Sequence, residues 1–457
     1  MNNTRPVFLT VVALFLGGCS GMGLFDMNEH FVKVQGTRFT IDGTPYFFAG
    51  TNMWYGCYIG SSGPAGNRER LCRELDFLAA QGITNLRVLA ASESSYVRHA
   101  AEPAIQTAPG VVDEDLLRGL DFLLAEMADR SMRAVLYLNN FWEWSGGMAA
   151  YVAWMNLDVG VDPADTSRPW SDFVEYAATF YENERANAYY REYIRRLITR
   201  RNTVHGRLYS EDPTIMAWQL SNEPRPGVPG ANGERNLPGF LRWIDTTAAF
   251  IHALDTNHLV STGSEGTVGC LLSEDHYLRA HQSPQIDYLT AHVWPYNWRW
   301  FDPVRPAETL PVAIDSSRAY ILKHVDLAQQ LGKPLVFEEF GLSRDSGNVQ
   351  PGSPTLARDR YFDFFTGVLY DSARAGTPIA GSNFWAWGGE AHGVHNDSLW
   401  KPGDQLLGDP PHEPQGFNAI YDTDTSTVAI LRRHAEKMNQ LGHEPPVLVA
   451  SSRPRRR

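Results

Sequence analysis

Residues 215–225 read Ile-Met-Ala-Trp-Gln-Leu-Ser-Asn-Glu-Pro-Arg, a largely apolar run that ends in an amide and a carboxylate. Pro224 lacks a backbone N–H and disfavours helical backbone at the preceding residue, so the extended run is predicted to end at Glu223. A carboxylate at the end of a buried strand is placed to face a ligand. The function of Glu223 therefore depends on what the other strands bring beside it.

Extended apolar runs alternate with helical patterns on both sides of this stretch. With 215–225 as the fourth strand, the other strands are predicted at 46–52, 83–89, 133–139, 259–262, 288–292, 335–340 and 379–387. Helices are predicted at 68–81, 116–130, 183–201, 240–254, 317–331, 358–375 and 427–440. This alternation predicts an α/β fold, a single (β/α)8 TIM barrel with enlarged βα loops. A lead-in hairpin over 31–45, with Asp42-Gly43 as its turn, precedes the barrel.

The N-terminus has the pattern of a targeting segment. The apolar run from Val7 to Leu16 is too short to span a bilayer and fits a signal peptide. Leu16-Gly17-Gly18-Cys19 resembles a bacterial lipobox, so Cys19 is predicted to be lipidated; an ordinary signal peptide with a chance cysteine is the alternative. The predicted divisions are a lipoprotein signal peptide at 1–18, a tether at 19–30, the catalytic barrel at 31–443 and a disordered tail at 444–457. The signal peptide and the lipobox together predict export to the periplasm or to the outer membrane.

Composition favours a neutral partner. Acidic residues outnumber basic ones by 52 to 40, for a formal net charge of −12, which argues against nucleic acid or an anionic membrane. Contact with a membrane is therefore expected only through the lipid anchor. Thirteen Trp residues supply rings on which sugar faces can stack. No cofactor or metal is predicted, and His392, His395 and Asp397 are interpreted as loop hydrogen-bonding residues.

The predicted strand ends carry a concentrated set of polar and aromatic residues. In a barrel of this type the functional groups lie at the carboxyl ends of the strands. Strands four and seven lie roughly opposite each other, so a carboxylate on each can flank a sugar, as glycoside hydrolysis requires. In chain order the candidates are Asn52, Trp54, Arg87, Asn139, Asn140, Asn222, Glu223, Glu265, His292, Trp294, Glu338, Glu339, Trp385 and Trp387.

Three of these segments, 217–225, 335–341 and 382–388, resemble the signatures of glycoside hydrolase family 5. Segments 31–56, 139–147, 292–298 and 408–424 are similar to its endo-β-1,4-mannanase subfamily. The resemblance implies a retaining enzyme that cleaves internal β-1,4-mannosidic linkages in mannan, glucomannan or galactomannan. The alternatives are another family 5 β-glycanase, either cellulase-like or an exo-β-mannosidase, and a glycan-binding surface lipoprotein without catalytic activity.

The resemblance also implies roles for the two carboxylates and their neighbours. Glu223 matches the general acid/base and Glu339 the nucleophile. Since side chains alternate along a strand, Glu338 is expected not to share the barrel mouth with Glu339. Asn222 resembles the residue that binds the sugar 2-hydroxyl, and Arg87 the cation that keeps the nucleophile ionised.

Further positions match substrate-binding residues. His292 resembles the histidine beside the acid/base, and Trp385, rather than Trp387, the aromatic floor of the reacting subsite. Asn139 and Asn140 match paired asparagines of the mannanases, and Trp54 is a further substrate-binding candidate. Trp294 stands where the family usually has Tyr, and an indole N–H can donate a hydrogen bond in its place.

A retaining mechanism sets two physical expectations. The carboxyl groups should lie about 5 Å apart, against at least about 6.5 Å in an inverting enzyme. The pKa of Glu223 should be raised, with Trp218 as an apolar neighbour, and that of Glu339 lowered by Arg87. Aromatic platforms for further sugars are expected among Trp142, Trp144, Trp154, Trp170, Trp298 and Trp300.

Overall fold

The computed structural model describes residues 30–443. Cys19, the predicted signal peptide, nearly all of the tether and the predicted tail lie outside these residues. No helix within the described range is both long and apolar enough to cross a bilayer.

The described chain begins with a small antiparallel sheet of β1 (Val32–Gln35), β2 (Arg38–Ile41) and β3 (Thr44–Tyr46). The turn between β2 and β3 is the predicted one: Asp42 and Gly43 have φ angles of 51° and 78°, as a tight two-residue hairpin requires. Phe39 from β2 packs against Phe48 and Tyr288. These contacts place the small sheet against one end of the barrel, where a separate apolar cluster fills the interior.

Eight parallel strands form the barrel. They are β4 (Phe48–Asn52), β5 (Asn85–Leu89), β8 (Arg133–Tyr137), β9 (Ile215–Gln219), β10 (Leu259–Ser261), β11 (Leu289–Val293), β12 (Leu335–Phe340) and β13 (Ile379–Phe384). Each pairs with its neighbour in chain order, β13 pairs with β4, and a parallel bridge between Ser261 and Tyr288 joins β10 to β11 and closes the sheet. The predicted fold class is confirmed.

Two pairs of short strands lie in the loops. These are β6 (Gln106–Ala108) with β7 (Val111–Val112), and β14 (Trp387–Gly389) with β15 (Ile420–Tyr421). Single turns of 3-10 helix occur at Glu143–Ser145, Thr179–Glu182, Tyr209–Glu211 and Asp345–Gly347. The predicted eighth strand was too long, because the chain leaves the barrel at Phe384 and Trp387 belongs to β14.

Helices surround the barrel. They are α1 (Gly56–Gly60), α2 (Arg68–Ala80), α3 (Glu114–Asp129), α4 (Gly147–Asn156), α5 (Trp170–Ala178), α6 (Glu184–Ile198), α7 (Ala231–Leu254), α8 (Glu274–His281), α9 (Pro306–Leu331), α10 (Leu356–Arg374) and α11 (Thr425–Leu441). All seven predicted helices are present, whereas α1, α4, α5 and α8 were missed. Helix α4 is almost wholly buried and apolar on every face, so it lacks the amphipathic period on which the predictions relied.

A buried ion cluster ties the long loop after β13 to α10. Arg344 donates to both carboxylate oxygens of Asp424, at 2.9 and 2.5 Å, and Arg358 donates to Asp424 Oδ2 at 3.1 Å. The side chain of Asp424 is 4% exposed and both guanidinium groups are fully buried. Removing the carboxylate would leave two buried cations without their shared partner.

We therefore predict that Asp424→Asn lowers the free energy of unfolding by about 3–5 kcal/mol, because uncompensated buried charge is costly. The measurement is thermal or denaturant unfolding followed by circular dichroism. Asp363→Asn, which removes an exposed ion pair to Arg433, is the matched control and should leave the melting temperature unchanged. Equal effects of the two substitutions would contradict this reading of the cluster.

Candidate active site

A cleft of about 1200 Å³ opens at the carboxyl ends of the barrel strands. Its walls include both Glu223 and Glu339, together with Asn222. The rest of the lining combines charged and aromatic side chains, and the latter include six indole rings: Trp142, Trp144, Trp170, Trp294, Trp298 and Trp385. The structure therefore brings the two predicted catalytic carboxylates to one aromatic cleft.

Glu223 reaches the cleft from a loop rather than from the end of a strand. Strand β9 ends at Gln219, four residues earlier than expected. The segment stays against its neighbours through a bridge between Asn140 and Asn222 and a hydrogen bond from the Glu223 N–H to the Gly263 carbonyl at 2.9 Å. Glu223 has a φ of 47°, an uncommon angle for a residue with a side chain.

Gly263 makes this tight approach possible. Its φ is 78°, and a Cβ atom added to it would lie 1.8 Å from the Ser221 carbonyl oxygen. Only a residue without a side chain allows the two loops to come so close. The loop after β10 thus supports the backbone that presents Glu223.

Glu339 is presented by a β-bulge. Along β11 and β12, Ala291 pairs with Phe337 but the next residue, His292, pairs with Glu339, so Glu338 is the extra residue. The expected alternation of faces does not hold here, because a bulge re-aims side chains. Glu338 points into the barrel interior, fully buried, and accepts a hydrogen bond from Gln219 at 2.6 Å, whereas Glu339 lines the cleft.

Arg87 on β5 forms hydrogen bonds with four side chains of the site. Its guanidinium donates to Glu339 Oε1 at 2.5 Å, to Asn222 Oδ1 at 2.7 Å, to Asn52 Oδ1 at 3.1 Å and to Gln219 Oε1 at 2.8 Å. Arg87 is fully buried beneath the cleft. One cation therefore fixes side chains from three other strands and their loops.

His292 lies between the two carboxylates. Its Nδ1 atom is 2.7 Å from Glu223 Oε1 and 3.4 Å from Glu339 Oε2. Burial lowers the pKa of His292 to about 4, so the ring is neutral at neutral pH. In one tautomer the Nδ1–H group donates a hydrogen bond to Glu223. In the other, Nδ1 accepts a hydrogen bond from the protonated carboxyl group of Glu223. The contact thus suits a carboxyl group that changes its protonation state.

Trp142 makes a contact with Glu223 that the sequence analysis did not foresee. Its indole N–H donates to Glu223 Oε2 at 2.6 Å, and its ring carries the Arg225 guanidinium 4.8 Å from the ring centroid. Arg225 in turn forms an ion pair with Glu265. Trp218, which was expected to be the apolar neighbour of Glu223, instead donates its indole N–H to Asp255 at 2.7 Å. No sequence signal distinguished Trp142 from the other loop tryptophans.

Trp294 and Trp385 form an edge-to-face pair in the cleft, with ring centroids 5.8 Å apart. The Trp294 N–H donates to Glu339 Oε2 at 3.2 Å, so the indole contacts the carboxylate as expected at this position. The Trp385 N–H is buried and finds no hydrogen-bond partner among residues 30–443, which leaves a donor available near the two carboxylates.

Both carboxyl groups are shifted toward the protonated form. Burial raises the pKa of Glu223, and burial also raises that of Glu339, against the opposing charge of Arg87. The low pKa expected for Glu339 is therefore wrong, because Arg87 does not outweigh burial and repulsion from Glu223. Arg87 and Trp294 donate to the two oxygens of Glu339, whereas Trp142 donates to one oxygen of Glu223. The two donors and the positive charge of Arg87 favour a charged Glu339 beside a protonated Glu223.

The two carboxyl groups approach each other closely. An oxygen of Glu223, a nitrogen of His292 and an oxygen of Glu339 all lie within 4.8 Å of one another. This trio is the set of side chains within residues 30–443 that could share a metal ion. The Arg87, Trp142 and Trp294 donors already bind its carboxylate oxygens, so the trio is better suited to proton transfer.

His395, which the sequence analysis interpreted as a loop hydrogen-bonding residue, contacts Asp404 at 2.8 Å in the loop after β13.

Some predicted substrate-binding residues lie behind the cleft. The Trp387 N–H donates to Glu74 and its ring stacks on Phe77, while Trp54 is fully buried and donates to the Gly408 carbonyl. Asn140 accepts from Asn222 at 3.1 Å, and Asn139 caps the backbone N–H of Asn140. These four residues are not among those that line the cleft, and neither are two of the proposed platforms, Trp154 and Trp300.

Comparisons with known proteins agree with this site. A family model described as glycoside hydrolase family 5 beta-mannosidase-like matches residues 29–443. Mannan endo-1,4-beta-mannosidase 1 of Arabidopsis thaliana is 28% identical over 399 residues, or 84% of this chain and 88% of that protein.

Two solved structures of a family 5 mannosidase from Rhizomucor miehei superpose with a TM-score of 0.84. They are 35% and 34% identical in sequence and cover 92% of this chain and 100% of theirs; the second is a mutant in complex with mannosyl-fructose. The chain is an enzyme that belongs to glycoside hydrolase family 5, among its beta-mannosidase-like members.

Proposed function

We propose that this enzyme hydrolyses β-1,4-mannosidic linkages with net retention, using Glu339 as nucleophile and Glu223 as general acid/base. The observation that carries the proposal is the buried pair itself, in which oxygens of the two residues lie within 4.8 Å. A separation near 5 Å is typical of retaining enzymes, because an inverting enzyme must leave room for water between its carboxyl groups.

The contacts support one role for each carboxylate. In the first step Glu339 attacks the anomeric carbon, the bond to the leaving oxygen breaks, and that oxygen takes the proton of Glu223. In the second step water transfers a proton to Glu223 and attacks the same carbon, which releases Glu339. Arg87 stabilises the charge of Glu339 before attack and again after release.

The mannose specificity rests on the relatives. The plant protein named above acts on mannan by its name, and the fungal mannosidase was solved with mannosyl-fructose. A sugar chain also fits a cleft whose walls include six indole rings. The alternative of a glycan-binding lipoprotein without activity is less favoured, because a protein that only binds has no need for a carboxyl pair this close.

Glu223→Gln and Glu339→Gln should each strongly reduce the release of reducing sugar from mannan. We expect a loss of about 10²- to 10⁴-fold for the acid/base and no detectable turnover without the nucleophile. Glu338→Gln is the matched neighbour and should retain turnover, although at a lower rate because it contacts Gln219. Activity that survives in Glu339→Gln but not in Glu338→Gln would contradict the assignment.

Trp142 gives a prediction about pH. Glu223 must be protonated in the first step, so activity falls as pH rises through its pKa. Trp142→Phe removes a donor to the charged form of Glu223, which raises that pKa, so the alkaline limb of the pH profile of kcat/KM should move up by about one unit.

Trp170→Phe is the control for this shift, since Trp170 stacks on Trp142 at 5.7 Å and, in the described part of the chain, forms no hydrogen bond with the carboxylate. Its alkaline limb should match the wild type. An unshifted limb in Trp142→Phe would show that the indole does not tune Glu223.

We also propose that the protein is exported and anchored through a lipid at Cys19. The support is the apolar run followed by Leu16-Gly17-Gly18-Cys19. Metabolic labelling with radioactive palmitate in a bacterial host should mark the full-length protein and not Cys19→Ser. Equal labelling of both proteins, or of neither, would overturn the anchor.

A further inference from the structure

Two buried side chains of helix α9 bind the backbone of the loop after β10. The Tyr320 hydroxyl donates to the Glu265 carbonyl at 2.7 Å, and the Thr267 N–H donates to Nε2 of His324 at 3.0 Å. Tyr320 and His324 are four residues apart, so they lie on one face of the helix. Both side chains belong to buried residues, so these bonds are sheltered from water. The helix therefore holds the loop at two points.

The His324 ring can accept the bond from the loop in one tautomer only. Its Nδ1 atom lies 2.8 Å from the Tyr320 carbonyl, which has no proton to donate, so Nδ1 carries the ring proton. Nε2 is then left as the acceptor of the Thr267 N–H. Burial lowers the pKa of His324 to about 4, so the ring stays neutral at neutral pH. The imidazole is thus a fixed acceptor for the loop.

Gly266 allows the loop to lie directly on these two side chains. Its φ is 102°, and a Cβ atom added to it would lie 2.5 Å from both the Tyr320 hydroxyl oxygen and Nε2 of His324. A residue with a side chain would therefore displace one of the two hydrogen bonds. The glycine stands between Glu265 and Thr267, the two residues whose backbone groups are bound.

The loop held in this way supports the backbone around the proposed acid/base. The Gly263 carbonyl accepts the Glu223 N–H at 2.9 Å. The Glu265 carbonyl, besides its bond from Tyr320, accepts the His292 N–H at 3.1 Å. His292 in turn contacts Oε1 of Glu223 at 2.7 Å. A shift of the loop would therefore move both the backbone of Glu223 and the imidazole beside its carboxyl group.

The same loop also supports the contact to the other carboxyl oxygen of Glu223. The Glu265 carboxylate forms an ion pair with Arg225, and the Arg225 guanidinium lies 4.8 Å from the centroid of the Trp142 ring. Trp142 donates to Oε2 of Glu223 at 2.6 Å. Both oxygens of this carboxyl group are therefore contacted by residues that lean on the loop after β10.

The proposed nucleophile is held from elsewhere. The carboxylate of Glu339 accepts hydrogen bonds from Arg87 on β5 and from Trp294. In the described part of the chain, neither donor forms a hydrogen bond to residues 263–268. A displaced loop would therefore disturb Glu223 and leave these two bonds of Glu339 in place.

We propose that Tyr320 and His324 are positioning residues for the acid/base, which fix Glu223 through the loop after β10 and do not act on Glu339. The proposal rests on the proposed function, in which Glu223 gives its proton to the leaving oxygen. A sugar is a poor leaving group and needs that proton, whereas 2,4-dinitrophenolate leaves without one. Loosening the loop should therefore slow formation of the glycosyl-enzyme from a sugar chain and not from a dinitrophenyl mannoside.

The test compares kcat/KM, which reports the steps up to the glycosyl-enzyme, on mannotetraose and on 2,4-dinitrophenyl β-mannoside. His324→Leu removes the acceptor of the Thr267 N–H. It should lower kcat/KM on mannotetraose by about ten- to a hundredfold, which is part of what a general acid contributes. On the dinitrophenyl substrate kcat/KM should stay within about twofold of the wild-type value.

Two further variants test the hydrogen bonds themselves. His324→Gln keeps an acceptor, because its amide oxygen can take the place of Nε2, and should stay within about threefold of wild type on both substrates. Tyr320→Phe removes the hydroxyl and keeps the ring, which packs on Trp298 with centroids 5.1 Å apart. It should show the same selective loss on mannotetraose, and it carries the comparison if His324→Leu does not fold.

His434→Leu is the matched control. It removes another buried imidazole, on α11, whose Nε2 lies 3.0 Å from the Ser382 hydroxyl on β13. The melting temperature should fall, but the ratio of the two kcat/KM values should equal that of the wild type.

Three results would count against this account. Equal losses on the two substrates in the His324→Leu and Tyr320→Phe variants, or no loss on either, would overturn the proposal. A loss in His324→Gln as large and as selective as in His324→Leu would overturn the role given to the Thr267 bond. A wild-type enzyme that hydrolyses neither substrate would instead defeat the proposed function itself.

Discussion

The active site depends on the buried guanidinium of Arg87. A fully buried cation is tolerated only when its donors are satisfied, and here Glu339, Asn222, Asn52 and Gln219 satisfy them. These partners come from different strands, so the geometry of the site is fixed by the closure of the barrel. The same contacts that neutralise Arg87 orient Glu339, the proposed nucleophile, and Asn222, the amide beside the proposed acid/base.

Around this cation, the two carboxyl groups differ in their contacts rather than in burial. Glu339 receives donors from the Arg87 cation and from Trp294, which favour its charge, whereas Glu223 receives one neutral donor, from Trp142, and contacts a neutral histidine that can donate or accept. The difference explains how two neighbouring acids can have separate tasks. It also explains why burial, which affects both, does not by itself assign the roles.

The periodicity of the sequence predicted the barrel and its strand order, and the resemblance of short motifs at strand ends selected the two carboxylates that the structure brings to one cleft. The sequence did not predict features that depend on contacts distant in the chain. The bulge at Glu338, the loop position of Glu223 and the selection of Trp142 as its neighbour are of this kind.

The positions of Trp54 and Trp387 were predicted wrongly for the same reason. Both follow a strand, which predicts a position at the rim of the barrel, but tertiary packing places them behind the cleft. Trp144 and His412, whose rings lie 6.5 Å apart, are distant in the chain, so their contact could not be predicted from either segment alone.

The central claim is that Glu339 forms a covalent bond to the sugar. A 2-deoxy-2-fluoro-mannosyl fluoride slows the second step more than it slows the first, so the intermediate should accumulate and can be located by peptide mass spectrometry. The account predicts one added fluoromannosyl group on Glu339. A label on Glu338 or Glu223, or turnover of the reagent to an inverted product without any label, would contradict it.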